Sequence, residues 1–115
     1  MKSIIIVFLL ISSFAFTMKS PNHDEHAKFK VFGVCEMCKE RIETAVKKSQ
    51  FVKAANWDVK SKMIEVTYDP HMIDVSEIHK LIVASGHDTE TMKADDKVYN
   101  SLPSCCHYKR EKTKL

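Results

Sequence analysis

The apolar residues of this chain change their period at Gly33, and two of its cysteines sit on the change. Before it, Lys28-Phe29-Lys30-Val31-Phe32 alternates polar and apolar side chains, the two-residue period of a half-buried strand. After it, Ile42, Ala45, Val46 and Ser49 recur at helical spacing, with Lys39, Glu40, Glu43 and Lys47 on the other side. That spacing predicts an amphipathic helix over Met37 to Lys48, with Glu43 and Lys47 placed to pair four residues apart. Cys35 and Cys38 thus fall where a strand has ended and a helix opens.

Downstream, Val52 to Val59 and Met63 to Tyr68 are predicted strands joined by the polar turn Lys60-Ser61-Lys62, and Ile64, Val66 and Tyr68 share a face. Asp74 followed by Glu77 has the pattern of a capping box. It opens a second helix with Val75, Ile78, Leu81 and Ile82 on the buried side, and Gly86 closes it. Thr89 to Met92 is expected as a short last strand. The order strand, helix, strand, strand, helix, strand is the split βαβ pattern. The expected fold is therefore α+β, a ferredoxin-like βαββαβ sandwich with a short C-terminal extension.

Ahead of this domain, Met1-Lys2-Ser3 gives a short basic start and Ile4 to Phe16 is almost unbroken apolar sequence. The run falls short of the about 20 residues that a spanning helix needs, which is the shape of a secretory signal. Residues 1–17 are expected to be a signal peptide, 18–26 a linker carrying Pro21 and Asn22, 27–93 the domain and 94–115 a cysteine-containing tail. The localisation this implies is periplasmic or secreted; an uncleaved leader would anchor the chain to the membrane instead.

The 115 residues leave room for one small core, and the net charge of +3 comes from Lys and Arg scattered among nearly as many acids. With no basic stripe and no interleaved aromatics, nucleic-acid binding has no support. No small-molecule substrate is indicated. The locally basic end, Lys109 to Lys114, is expected to be a solvated tail.

The 4 cysteines form two local pairs, Cys35-Glu36-Met37-Cys38 and Cys105-Cys106. Neither pair closes a useful loop, so a simple disulfide framework is not expected. Two thiols at a helix N-terminus can point at one spot, where the unpaired amides and the positive dipole end favour thiolate. Thiolates select soft ions, Cu(I), Hg(II), Zn(II) or Cd(II), and two ligands alone suit Cu(I) and Hg(II). One bound soft metal ion, Cu(I) favoured, is the expectation.

The segment Val31-Phe32-Gly33-Val34-Cys35-Glu36-Met37-Cys38-Lys39-Glu40-Arg41-Ile42-Glu43 resembles the metal-binding signature of the heavy-metal-associated domain family. Ala55-Asn56-Trp57-Asp58 and Val66-Thr67-Tyr68-Asp69-Pro70 look like the family's second and third strands, and Ser85-Gly86-His87-Asp88 like the glycine turn before its last strand. The departure is that Val34 alone separates Gly33 from Cys35, where the family's common form has two residues. The Cys-x-Met-Cys version resembles a subgroup of exported bacterial proteins with cysteine-bearing tails. The resemblance implies no catalysis: it implies reversible capture of a metal by Cys35 and Cys38 and handover to a metal-transporting membrane protein or another thiol-rich metal carrier. The rival from another class is an exported dithiol-disulfide oxidoreductase, since thioredoxin-like enzymes also open a helix with Cys-x-x-Cys.

Further ligands are available. In the resembling fold His87 lies in a turn beside the two-cysteine loop, where it would be a third ligand or merely a titrating surface histidine. Met37 offers a thioether but is expected to pack. Cys105 and Cys106, with His107 beside them, are expected either as extra soft ligands on a folded-back tail or as partners in an intermolecular disulfide, the first being favoured. His23 and His26 are assigned to a solvated linker.

Overall fold

The computed structural model describes residues 23–110, so the expected signal peptide lies outside the described residues. Three strands, β1 (Glu25–Lys30), β2 (Val52–Trp57) and β3 (Met63–Tyr68), form an antiparallel sheet in the order β1-β3-β2. Two helices, α1 (Glu36–Lys47) and α2 (Val75–Ala84), pack beside each other, and α1 lies against β2. Alternation fixes which side of each strand meets the helices. Phe29 and Val31, Val52, Ala55 and Trp57, and Ile64, Val66 and Tyr68 are buried, and they close on Ile42 and Val46 of α1 and Ile78 and Ile82 of α2. None of the described helices is long and apolar enough to cross a membrane.

Local chemistry sets the element ends. Asp74 caps α2 by accepting from the Glu77 amide at 2.8 Å, as its spacing predicts. β2 stops at Trp57, two residues before the expected end, because the Asp58 carboxylate gathers the amides of Lys60 (2.7 Å) and Ser61 (3.0 Å) into a turn. Glu43 pairs with Lys39 at 3.3 Å, on the turn before it.

Two expectations change. His26, assigned to the linker, belongs to β1, where it stands opposite Thr67 with Nδ1 2.9 Å from the threonine hydroxyl. Thr89 to Met92 is not a strand: Thr89 meets Val31 in a single antiparallel bridge, at the fourth-strand position outside β1. The bridge is framed by the Phe32 amide on the Asp88 carbonyl and the Glu90 amide on the Lys30 carbonyl. It goes no further because Thr89 turns the chain, its amide donating to the Met92 carbonyl and its hydroxyl accepting from the Met92 amide.

Past the bridge the chain folds back over the domain through a five-residue helix, α3 (Asp96–Asn100), and a 3-10 turn at Ser104–Cys106 that packs against α1. Leu102, Cys106 and Tyr108 join the same core. Gly86 makes the close approach of this segment workable. Its φ of +101° suits glycine, and a Cβ there would lie 3.0 Å from the Leu102 side chain.

Candidate metal centre

The loop from Gly33 to Cys38 lies directly on Trp57, a fully buried ring whose Nε1 donates to the carbonyls of Val31 (3.0 Å) and Lys62 (3.2 Å). A Cβ on Gly33 would meet the Trp57 ring at 3.0 Å and the Cys38 Cβ at 3.1 Å, so glycine lets the loop settle there. Cys35 then takes the N-cap position of α1 in extended conformation, and Cys38 occupies its first turn. Their Sγ atoms are 3.7 Å apart, unbonded, with Cys35 half-buried and Cys38 buried. The Val34 amide points at the Cys38 sulfur from 3.4 Å.

The open end of the helix acts on the Cys35 thiol. The Cys38 backbone amide is the main cause holding the Cys35 thiol below its usual range; partial burial opposes it, and the Cys38 thiol and the Met37 amide add to it. The lowered Cys35 thiol favours thiolate, the form that binds metal.

The tail reaches this spot. Cys105 is exposed and Cys106 fully buried, and the sulfurs of Cys35, Cys105 and Cys106 all lie within 4.8 Å of one another. The Cys35 thiol also faces the Cys105 carbonyl at 3.4 Å. Burial, followed by the neighbouring thiols of Cys38 and Cys105, pushes the Cys106 thiol well up, so unliganded Cys106 keeps its proton at neutral pH. Met37 does not pack as expected: it is 47% exposed, with Sδ 3.5 Å from the Cys105 sulfur.

The three-sulfur set does not include His87, which is buried with Nδ1 donating to the Phe32 carbonyl at 2.8 Å and its ring stacked near Tyr108. His107 is held by the Leu102 carbonyl at 2.9 Å and stacks on Tyr99. His23 stands near His71, their ring centroids 6.0 Å apart.

Sequence patterns gave no sign of what fastens the tail. The Tyr108 hydroxyl accepts from the Asp88 amide (2.8 Å) and donates to the Gly86 carbonyl (3.2 Å). Arg110 grips the buried Asp88 carboxylate through Nε and NH2, both at 2.9 Å, and also reaches Asp96 and the Ala94 carbonyl. Its guanidinium lies over the Tyr99 ring. Polar residues scattered from Asp88 to Arg110 carry no period, and only their convergence in space reveals the clamp.

A small α+β sandwich with a dithiol loop at the head of its first helix defines a class of metal-binding domains. This chain belongs to the heavy-metal-associated domain family, whose profile matches residues 28–88. Among solved structures it is similar to the CopZ metallochaperone, at 26% identity and TM-score 0.55, over 56% of this chain and 98% of that one. It is also similar to the N-terminal domain of a potential copper-translocating P-type ATPase from Bacillus subtilis, solved in the Cu(I)-loaded state: 27% identity, TM-score 0.55, 57% of this chain and 84% of that one. Oxidized MerP from Ralstonia metallidurans CH34 shares the fold at 19% identity and TM-score 0.55, over 58% of this chain and 94% of that one. No curated protein sequence matches the chain.

Proposed function

We propose that this protein is an exported carrier of one soft metal ion, Cu(I) first among them, taken up by Cys35 and Cys38 and passed on by exchange with the thiols of a partner. The observation that carries this is the Cys35–Cys38 pair, two free sulfurs 3.7 Å apart above the open end of α1. Soft thiolates favour soft ions, and the similarity to the CopZ metallochaperone and to a potential copper-translocating ATPase domain solved in the Cu(I)-loaded state supports copper. A metal-transporting membrane protein or another thiol-rich carrier suits the receiving role, because ligand exchange between thiolates leaves the ion bound at every step. Export rests on the apolar run Ile4 to Phe16.

Native mass spectrometry of reduced protein offered Cu(I) tests the central claim. One ion per chain is expected, with binding severely weakened by Cys35→Ser and by Cys38→Ser. Full retention in both variants would overturn it. Fractionation of cells producing the full chain tests export: a shortened protein outside the cytoplasm is expected, and full-length protein confined to the cytoplasm contradicts it.

A further inference from the structure

We infer that the C-terminal segment is part of the metal site: Cys105 and Cys106 join Cys35 as ligands, so that a soft ion is held by three or four sulfurs rather than two. This rests on the proposed binding at Cys35 and Cys38 and deepens it.

Geometry supplies the first argument. A thiolate sulfur sits about 2.3 Å from a bound soft ion, so a linear two-sulfur site needs its sulfurs ~4.6 Å apart. Cys35 and Cys38 are 3.7 Å apart, which pinches the angle at a shared ion to about 107° and leaves one side open to a further donor. Sulfurs of a planar three-sulfur site stand about 4 Å apart. Cys35, Cys105 and Cys106, all within 4.8 Å of one another, are already near that spacing.

Preorganisation supplies the second. A free tail would have to be ordered on each binding event, at a cost in conformational entropy. Here the segment is already held by the buried Tyr108 and Leu102 and by the Arg110 grip on Asp88, none of which needs a metal. The Met37 thioether, 3.5 Å from the Cys105 sulfur, adds a soft group on the exposed side. Each thiol that binds releases its proton to solvent, so the charge of the loaded site depends on how many tail sulfurs engage. The ligand class is a d10 ion that accepts three or four thiolates: Cu(I) in trigonal form, Zn(II) or Cd(II). A receiving partner must then displace the tail sulfurs as well as the loop pair.

X-ray absorption on the Cu(I)-loaded full chain counts the sulfurs, and competition against a Cu(I) chelator gives the affinity. Three or more sulfur neighbours are expected in the wild type, one fewer in Cys105→Ser, and two in Cys105→Ser/Cys106→Ser, with affinity down about a hundredfold in the double variant. Because Cys106 is buried and its replacement could loosen the segment, the exposed Cys105→Ser decides the matter by itself. Two sulfurs and equal affinity in wild type and both variants would overturn the inference while leaving the Cys35–Cys38 site standing. Absence of Cu(I) binding that depends on Cys35 and Cys38 would overturn both.

Discussion

Cys38 and Cys106 are both fully buried beside the Cys35 thiol, yet they are brought there by different means. The loop that carries Cys38 hangs between β1 and α1, whose positions follow from many apolar side chains, and it rests on a tryptophan in the centre of the core. The segment that carries Cys106 has only a five-residue helix and a 3-10 turn of its own. It owes its place to Leu102, Cys106 and Tyr108 and to the ion pairs of Arg110 with Asp88 and Asp96. A region fixed by distributed burial tolerates the loss of any single polar contact, whereas one fixed by a few polar contacts does not. The loop should therefore keep its geometry under perturbations that release the tail.

The sharpest separation should come from Cys35→Ser. Cys35 lies 3.7 Å from the Cys38 sulfur and within 4.8 Å of both tail sulfurs, so its loss removes a ligand from both sets. Cu(I) affinity is expected to fall about a thousandfold, ~4 kcal/mol, because the loop pair and the tail set each lose a member. Chelator competition reads this directly. A smaller loss than in Cys106→Ser would reverse the ranking of the two regions.

Arg110→Ala probes the tail alone. It leaves the Asp88 carboxylate buried without its cation, a defect that costs about 3 kcal/mol. Denaturation should show the loss, and hydrogen exchange should show faster exchange in residues 95–108 with α1 and α2 protected. Uniform loss of protection across both regions would mean that they form one cooperative unit.

The two glycines make a matched pair. Gly33→Ala forces a methyl group against Trp57 and the Cys38 Cβ, and Gly86→Ala forces one against Leu102 at a positive φ. Each should destabilise by about 1 to 3 kcal/mol. Gly33→Ala should lower Cu(I) affinity more, because it moves the loop sulfurs; Gly86→Ala should act chiefly on the tail. Equal effects on affinity would argue that the tail sulfurs matter as much as the loop pair.

This division is also the line between what the sequence shows and what it hides. The two helices, the first three strands and the Cys35–Cys38 junction follow from alternation, helical spacing and the Asp74 cap, because each is a repeated choice between burial and solvent. The fourth strand was expected where Thr89 supports one bridge, since a hydroxyl that closes a turn looks in sequence like any β-branched strand residue. His79 carries no usable pattern, though it is buried against Phe29 with Nδ1 2.6 Å from the Thr89 hydroxyl. The folded-back tail could be expected from its cysteines. Its fastening by Asp88, Tyr108 and Arg110 could not, because single polar contacts between distant residues have no period.

The smallest expected effect belongs to His87, which sits on the seam between the two regions, bonded to the Phe32 carbonyl beside the loop and stacked near Tyr108 of the tail. Because Nδ1–H donates to that carbonyl, the neutral ring keeps Nε2 unprotonated, and Nε2 is buried with no hydrogen-bond partner among the described residues. Protonation would place a charged N–H there with no acceptor. Burial accordingly holds the His87 pKa below its usual value; the Phe32 carbonyl opposes this, the Arg41 charge adds to it and the Asp88 charge opposes it. His79 is lowered too, mainly by burial. A histidine kept neutral in the fold binds its proton more readily in the unfolded chain. The stability it contributes is therefore full above pH about 6.5 and is lost as pH falls from there through the lowered folded-state value. Denaturant midpoints of reduced, metal-free protein should fall between pH 7.5 and pH 5, a range below ordinary thiol titration. Hydrogen exchange at pH 5 should show the tail loosening before the sheet, because the ring on the seam faces Tyr108. A sheet that loosens first would shift the acid sensitivity to His79, and equal stability at both pH values would contradict the assignment of either histidine as neutral in the fold.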